Sequence, residues 1–326
     1  MKNKKLLLIG KIPPPIGGVS IHVKRLSDSL VRNEVDFQLK NITKRNIFIF
    51  IFQIIFQRYI IHLHTSSPIL RILLSIVNLI NNNSVLIITY HGNIGRFNTF
   101  KNWMDKTSIR FADIPIVINE ESLSIAKSLN KNSRLIPAFI PPIIEEKLPI
   151  YIENKLKSLK EKCSVIFCTN AFNMSFDKDR NEIYCGTQLI NLFCKSENKK
   201  FGFIFSDPSG NYKKHIEKNS LQLNDNILLI SESHSFFEIL KYADCFIRNT
   251  TTDGDPLSVK EALFLNKIVF ATNVIKRPEG VYKFTWSKIN ELQNLIYQIK
   301  DMKKGNKDCN IVNGAIEIIN LYKELE

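Results

Sequence analysis

The stretch "CFIRNTTTDGDPLSVKEAL", residues 245–263, joins an apolar run, a polar loop and a helical pattern. The run Cys245–Arg248 predicts a buried strand, and Ser258–Leu265 predicts the helix that follows it. That helix begins either at Pro256, with Asp255 as its cap, or two residues later. A strand, a loop and a helix in this order form the repeating unit of a parallel α/β sheet.

The loop in this stretch carries two carboxylates one residue apart, Asp253 and Asp255. In one interpretation, this pair holds a divalent cation on a diphosphate. In the other, Asp253 pairs with Glu261 across the helix start, and the amide groups around Leu257 and Ser258 hold the diphosphate. Asp253 would then reach a sugar ring and Glu261 would accept hydrogen bonds from ribose. We favour the second interpretation and expect no metal requirement.

Strand and helix patterns alternate along the whole chain. The apolar runs suit strands buried on both faces, as in parallel sheets, and Val19, Val23, Leu26 and Leu30 share one helix face. The expected strands are Lys5–Ile9, Ile60–His64, Val85–Tyr90, Ile114–Ile118, Arg134–Ile136, Ser164–Thr169, Lys200–Phe205, Asn226–Ile230, Cys245–Arg248 and Ile268–Thr272.

The segment "PAFIPPIIEEKLP", residues 137–149, interrupts this alternation with four prolines. Proline cannot continue a helix or a central strand, so this segment predicts a domain boundary. We expect an α/β protein of two doubly wound, Rossmann-like parallel-sheet domains that face a cleft. Their predicted ranges are 1–148 and 149–305, and a helix in 306–326 is expected to pack back across the boundary.

The charge of the chain is concentrated in its first half. Residues 1–150 hold 20 Lys or Arg against 9 Asp or Glu, which is +11 of the total +14. Such a field suits an anionic membrane, a nucleic acid or a phosphate-rich ligand, and it is also compatible with a solvated basic surface. The apolar segment 46–66 is interrupted by Gln53, Gln57 and Arg58, so it is too short to span a bilayer. A buried or interfacial helix ahead of a strand explains it better.

The six cysteines lie in the second half and form no Cys-x-x-Cys pair. Buried free thiols in a reducing cytosol fit this pattern, and we expect a cytoplasmic protein.

Two further motifs follow strands in the first half. In "PPPIGGVSIHVKRL", residues 13–26, Gly17 and Gly18 permit a tight turn and close approach of a ligand to the helix start. The alternative is a turn without a ligand. In "ITYHGN", residues 88–93, His91 ends a buried strand, where an imidazole could bind a sugar hydroxyl or transfer a proton. The alternative is a structural histidine.

His62 and His64 alternate with Leu63 on the strand before it. We expect these two histidines to point to opposite sheet faces, with His64, nearer the carboxyl end, toward the cleft. No His-x3-His helix pair or cysteine partner accompanies the histidines, so the pattern argues against zinc.

Together these motifs resemble the retaining glycosyltransferases of the GT-B fold, of the glycosyltransferase family 4 type (glycosyl transferases group 1). "DGDPLSVKEAL" resembles their Glu-x7-Glu element, here Asp253 to Glu261. "IGGVSIHVKRL" resembles their glycine loop, "ITYHG" their histidine strand, and "RLIPAFIPP" the exit from their first domain. The resemblance implies that Glu261 binds ribose, Asp253 lies near the donor sugar, and Leu257 and Ser258 contact the diphosphate.

The chain departs from this family at the basic residues that neutralise the diphosphate. In "CTNAFNMSFDKDRNEIYCG", residues 168–186, Asn170 stands near the family's arginine position. Lys178, Arg180 and Arg248 are the candidates to replace the missing charge. His91 would orient the donor sugar or steady developing positive charge.

The resemblance implies retaining transfer of a sugar from a nucleotide-diphosphate sugar to a lipid-linked glycan, in O-antigen, capsule or other surface-polysaccharide synthesis. The basic first half and the Phe-rich segment 46–57 suit peripheral docking on the anionic cytoplasmic face of the membrane. Two alternatives are a GT-B nucleotide-sugar epimerase and a non-catalytic polyanion-binding protein. The basic residues are scattered and no RNA-binding motif is present, so we expect no nucleic-acid partner.

Overall fold

The structure is a computed structural model. It describes residues 5–14, 17–41, 57–80, 84–254, 256–302 and 311–325. The chain divides into two compact units, a first unit of Met1–Ile144 with Val312–Glu326 and a second unit of Glu145–Ile311. The sequence prediction put the boundary a few residues later, at 148/149. Residues 46–56, which carry the predicted interfacial helix, lie outside the described ranges.

The first unit is a six-stranded parallel sheet in the order β2-β1-β3-β4-β5-β6. Its strands are β1 Lys5–Ile9, β2 Phe37–Lys40, β3 Tyr59–His64, β4 Val85–Tyr90, β5 Ile114–Val117 and β6 Arg134–Leu135. Its described helices are α1 Gly18–Arg32, α2 Pro68–Ile80, α3 Thr99–Phe111, α4 Glu120–Leu129 and, from the end of the chain, α11 Gly314–Leu325.

The second unit is also a six-stranded parallel sheet, in the order β12-β11-β10-β7-β8-β9. Its strands are β7 Val165–Asn170, β8 Phe201–Ser206, β9 Ile227–Ile230, β10 Cys245–Arg248, β11 Ile268–Thr272 and β12 Val281–Phe284. Its described helices are α5 Ile150–Lys162, α6 Gly186–Cys194, α7 Asn211–Lys218, α8 Phe236–Tyr242, α9 Leu257–Phe264 and α10 Ile289–Tyr297, with a 3-10 turn at Ile299–Asp301.

Burial explains why the apolar runs form strands and the spaced apolar residues form helices. All six residues of β3 and all six of β8 are buried, as expected for strands covered on both faces. In α1 the residues Val23, Leu26 and Leu30 are fully buried against the sheet. The predicted doubly wound α/β architecture is therefore confirmed in each unit.

The strand order defines where each sheet can bind a ligand. In a doubly wound sheet, ligands bind beyond the carboxyl ends of the strands, at the point where the order reverses. That point lies between β1 and β3 in the first unit and between β7 and β10 in the second. The ends of these four strands, the loops after them and the helices that follow carry most of the residues that the sequence singled out.

Two strands that the sequence patterns did not predict, β2 and β12, are edge strands. β2 alternates half-buried with exposed residues, and β12 has one buried residue, Phe284, so neither is a continuous buried run. The helix α11 packs on the first unit, where Gly314 N donates to Phe139 O at 2.8 Å. Five described cysteines are free thiols, four of them buried.

Candidate functional site

Three charged side chains gather beyond the carboxyl end of β10 in the second unit. Arg248 ends β10 and donates from Nε and Nη2 to the two oxygens of Asp253, each at 3.0 Å. Arg277 donates from Nη1 to Asp253 Oδ2 at 2.9 Å. Their side chains are 10%, 6% and 0% exposed in the order Arg248, Asp253, Arg277. Asp253 therefore joins its own loop to the segment after β11 through two guanidinium groups.

The cluster is charged in the folded protein. Burial alone would raise the pKa of the Asp253 carboxyl, but Arg248 and then Arg277 lower it more, so its pKa lies below the ordinary value. Burial alone would lower the pKa of Arg248, but Asp253 more than offsets this effect and the pKa is raised. The Arg248 guanidinium also lies over the Tyr184 ring, 4.9 Å from its centroid.

Two asparagine side chains lie beside this cluster at the reversal point of the sheet. Asn170 ends β7, and Asn249 follows the last residue of β10. Asn249 Nδ2 donates to Gln188 Oε1 at 2.8 Å, whereas its Oδ1 and that of Asn170 are buried without a hydrogen-bond partner in the described structure. Buried acceptors without a donor cost free energy, so both oxygens suit a ligand that brings hydroxyl or N–H groups.

The helix α9 begins at Leu257, with Pro256 in the N-cap position and no capping bond from its side chain. This start lies between the two that the sequence suggested. Ser258 and Glu261 are buried, 6% and 4% exposed, and Leu257 is half-buried. Asp255, the predicted alternative cap and metal ligand, lies outside the described residues. The choice between the metal-binding interpretation of this loop and the metal-free one therefore stays a prediction.

Lys178 and Arg180 lie in the loop between β7 and α6, and both are exposed. This loop touches the loop after β10, because Thr251 N donates to Ile183 O at 2.9 Å. Of the three cations proposed to replace the family's missing charge, Arg248 is the one that is buried at the reversal point of the sheet.

In the first unit, four histidines meet at the carboxyl ends of β3 and β4. His64 Nδ1 lies 3.0 Å from His91 Nε2, and the His22 ring from α1 lies 5.1 Å from His64 and 4.8 Å from His91, between centroids. Gly10 permits this approach of α1 to β3, because a Cβ there would lie 2.7 Å from Val23 Cγ2.

The expectation that His62 and His64 point to opposite sheet faces is wrong. Their ring centroids are 4.1 Å apart, because residues two positions apart on a strand share a face. His62 has partners at both ring nitrogens, Tyr322 Oη at 2.5 Å and Thr89 Oγ1 at 2.7 Å. His62 therefore ties α11 to the sheet, while His64 contacts the predicted site residue His91.

These imidazoles are uncharged at neutral pH. Burial lowers the pKa of His22 to about 4 and that of His62 to about 3. Burial, followed by the neighbouring histidines, also lowers the pKa of His64 well below its ordinary value. Burial and then His22 and Arg71 act in the same direction on the pKa of His91. The cluster can bind hydrogen-bonding groups or a metal ion as neutral imidazole.

The two glycines that were predicted to permit close approach of a ligand lie at the start of α1. Gly17 is its N-cap residue, with an extended backbone at φ −168°, and Gly18 is its first residue. Neither backbone conformation requires glycine. A Cβ on Gly18 would meet no atom within 4 Å, and one on Gly17 would meet only Ser20 Oγ, at 3.9 Å. Open space at the helix start is therefore the property that these glycines contribute.

Three of the residues brought together here were not singled out from the sequence: His22, Asn249 and Arg277. Asn249 directly follows Arg248 at a strand end, and His22 lies in the helix after the glycine pair, so position in a βα unit could have pointed to both. Arg277 lies 24 positions from Asp253, and no local pattern connects the two.

Comparison with known proteins supports the fold more strongly than any activity. No family model matches the sequence. An uncharacterized glycosyltransferase of Methanocaldococcus jannaschii is 25% identical over 186 residues, which cover 53% of this chain. The matched region spans 42% of that protein's length.

Solved structures resemble the chain over its whole length. Anabaena HepE in complex with UDP-glucose covers 99% of both chains with a TM-score of 0.70 and 11% identity. The sucrose-phosphate synthase of Thermosynechococcus elongatus covers 99% of both chains with a TM-score of 0.66 and 14% identity. The two Rossmann-like domains match GT-B glycosyltransferase structures, which confirms the predicted fold class.

Proposed function

We propose that this protein is a glycosyltransferase that binds a nucleotide-diphosphate sugar at the carboxyl edge of the second unit's sheet. The observation that carries the proposal is the pair of buried amide oxygens of Asn170 and Asn249 without partners, beside buried Arg248. These groups lie at the sheet's reversal point, where doubly wound folds bind nucleotides. HepE, a protein of similar fold, has been crystallised with UDP and with UDP-glucose.

The proposed donor site uses charge without a metal on the diphosphate. Arg248 and the start of α9, at Leu257 and Ser258, would hold the diphosphate as the bond to the sugar breaks. Glu261 would accept hydrogen bonds from ribose hydroxyls. Asp253 accepts from two guanidinium groups, which supports a positioning role beside the donor sugar.

The proposed reaction retains the configuration at the anomeric carbon. The leaving diphosphate would assist the acceptor hydroxyl on the same face, so no protein nucleophile is needed. The acceptor in this proposal is a lipid-linked glycan of surface-polysaccharide synthesis.

A surface on the first unit supports the membrane part of the proposal. Helices α2 and α3 pack together through Arg71 and Asp105, 2.8 Å apart. Their outer faces, the α2–α3 surface, expose seven large apolar side chains: Ile69, Ile76, Leu79, Ile80, Phe100, Trp103 and Phe111. No helix among the described residues has the length and apolar character needed to cross a bilayer.

The charged residues around the α2–α3 surface indicate which kind of partner it suits. Lys101, Lys106 and Arg110 are exposed on α3, while the single acidic residue of that helix, Asp105, is buried. An apolar face edged by basic residues suits the interface of an anionic bilayer. We therefore propose that the protein acts at the cytoplasmic face of the membrane, in contact with a lipid-linked acceptor.

The donor proposal is tested by nucleotide binding. Thermal shifts and calorimetry with UDP, UDP-glucose and other nucleotide diphosphates are expected to show saturable binding. Asn170→Ala should weaken it about tenfold, since one buried hydrogen bond contributes about 1–1.5 kcal/mol. Asn226→Ala is the matched control, because Asn226 has the same unpartnered amide oxygen but precedes β9, at the opposite edge of the sheet.

The outcomes separate the alternatives. Nucleotide release that requires a lipid-linked acceptor supports the transferase, and release of an altered sugar without an acceptor supports an epimerase instead. Absence of binding to every nucleotide, with salt-sensitive binding to heparin, would favour the polyanion-binding protein. The anomeric configuration of the product, read by NMR, tests retention.

The membrane proposal is tested by co-sedimentation with vesicles. Binding to phosphatidylglycerol vesicles should exceed binding to phosphatidylcholine vesicles and should weaken with salt. Replacing both Phe100 and Trp103 by Ser should weaken binding at least about tenfold, since each large apolar side chain contributes about 1.5–3 kcal/mol when buried. Ile150→Ser, an exposed apolar residue of the second unit, is the control. Equal binding by the two variants would contradict the proposal.

A further inference from the structure

Three histidines in the first unit converge from separate elements of the fold. His22 lies in α1, His64 ends β3 and His91 follows β4. One ring nitrogen from each lies within 4.8 Å of the others. Nε2 of His22 and Nε2 of His64 are buried and have no hydrogen-bond partner in the described structure. Two polar atoms that are buried without partners, in one group of rings, indicate that the group is built for a ligand.

The partner of His22 identifies the atom that this residue can offer. His22 Nδ1 lies 2.8 Å from Ala138 O, and a carbonyl oxygen can only accept. The proton is therefore on Nδ1, and the Nε2 lone pair is left for a ligand. Metal-ligating histidines have this arrangement, in which one ring nitrogen donates to a carbonyl and the other binds the ion.

The second contact has to change when an ion binds. His64 Nδ1 and His91 Nε2 lie 3.0 Å apart and share one proton, and the accepting ring carries its own proton on its other nitrogen. The two rings together therefore offer one free lone pair while this hydrogen bond lasts. When both rings bind an ion, this hydrogen bond breaks and each ring turns a deprotonated nitrogen to the ion. His91 is half-buried, so the cluster is accessible from its side.

We propose that His22, His64 and His91 form a binding site for one transition-metal ion of the imidazole-preferring class, with Zn²⁺ as its representative. Ligand distances of about 2.0–2.1 Å place tetrahedral ligand atoms about 3.4 Å apart. The rings therefore close by up to roughly 1.4 Å from the observed 4.8 Å when the ion binds. Three protein ligands leave the fourth position open to a water molecule or a substrate oxygen.

The surroundings determine which ions fit. The cluster contains no carboxylate, so hard cations such as Mg²⁺ and Ca²⁺ are disfavoured and Zn²⁺, Ni²⁺ or Cu²⁺ are favoured. The positive charge of nearby Arg71 is matched by Asp105 at 2.8 Å, and both side chains are buried. This proposal concerns the first unit and goes beyond the glycosyltransferase proposal, because it gives His91 a role other than the sequence-predicted orientation of the donor sugar.

The experiment measures binding of Zn²⁺ alone to the full chain, by equilibrium dialysis with metal analysis and by calorimetry, without nucleotide or acceptor. Wild-type protein is expected to bind one Zn²⁺ per chain and to unfold at a higher temperature in its presence. His22→Asn and His64→Asn should each weaken binding at least about tenfold. Asparagine places its amide nitrogen near the position of Nδ1, so the bond to Ala138 and the fold persist while Nε2 is lost.

Two controls keep the result specific to this site. His215→Asn changes a histidine of α7 in the second unit, and Cys194→Ser changes a half-buried thiol that could bind zinc by itself. Both should leave the stoichiometry and affinity unchanged. Binding of no Zn²⁺ by wild-type protein, or equal binding by His22→Asn, would overturn the proposal. Because no donor is present, either failure leaves the proposed donor site untouched.

Discussion

Replacing Asp253 by Asn tests whether this residue anchors the loop after β10. Asparagine has nearly the same size, but it exchanges one acceptor oxygen for an NH₂ group that faces a guanidinium. Three guanidinium N–H groups donate to Asp253 at 2.9–3.0 Å, and all three side chains of the cluster are at most 10% exposed. Removing one partner from a buried ion pair costs about 3–5 kcal/mol, because the remaining charge is left uncompensated.

The two tryptophans make this loss measurable in one unit at a time. Trp103 lies in the first unit and Trp286 in the second. In a Trp103→Phe background, the fluorescence of Trp286 reports unfolding of the second unit. With a urea slope of about 2 kcal/mol per M, the midpoint for Asp253→Asn should fall by roughly 2 M.

A matched substitution of an exposed carboxylate separates this effect from loss of charge in general. Glu153 pairs with Lys157 on the surface of α5, with side chains 37% and 58% exposed. Glu153→Gln is expected to leave the midpoint unchanged, because exposed ion pairs contribute little. A midpoint shift below about 0.5 M for Asp253→Asn would refute the anchoring role.

Acid should remove the stabilisation that the ionised Asp253 carboxyl gives to the second unit. Because the pKa of Asp253 is lowered in the folded protein, this stabilisation is complete at neutral pH and is lost as pH falls below about 4. The difference in unfolding free energy between wild type and Asp253→Asn should therefore shrink in that range, measured by urea titrations at several pH values. Gly314→Ala should destabilise the first unit by about 1–3 kcal/mol, since its Cβ would lie 2.0 Å from a backbone carbonyl oxygen. Gly18→Ala, in open space, should leave the thermal midpoint unchanged or raise it. In assays without Mg²⁺, affinity for the donor should persist. Glu261→Gln should lower this affinity at least about tenfold, and Asp255→Ala should have a milder effect. A larger effect of Asp255→Ala than of Glu261→Gln would restore a metal-binding role for Asp253 and Asp255.

Much of the fold could be predicted from local patterns. Strands buried on both faces need continuous apolar runs, and β1, β4, β10 and β11 were predicted with the bounds that the structure has. Most other predicted strands differ by one residue at an end. The two missed strands, β2 and β12, mix polar with apolar residues along their four positions, so neither has a continuous apolar run that a sequence pattern could detect.

The site could be predicted only in part. Local reasoning found residues at strand ends, such as Asn170, His91 and Arg248, because the carboxyl edge of a parallel sheet collects functional groups. Local reasoning did not find the residues that the fold brings next to these sites, such as His22 and Arg277. The faces of His62 and His64 were also predicted incorrectly, although the two-residue period of a strand was available to decide them.

By itself, the sequence determined two series of βα units, the proline-rich boundary between them and the candidate Asp253–Glu261 spacing. These are local properties, set by hydrophobic period and turn chemistry within a few residues. Only the tertiary structure decided that Arg277 completes the ion pair of Asp253 and that His22 joins His64 and His91. Such meetings depend on strand order and on how closely a helix packs against a sheet, which no short stretch of residues encodes.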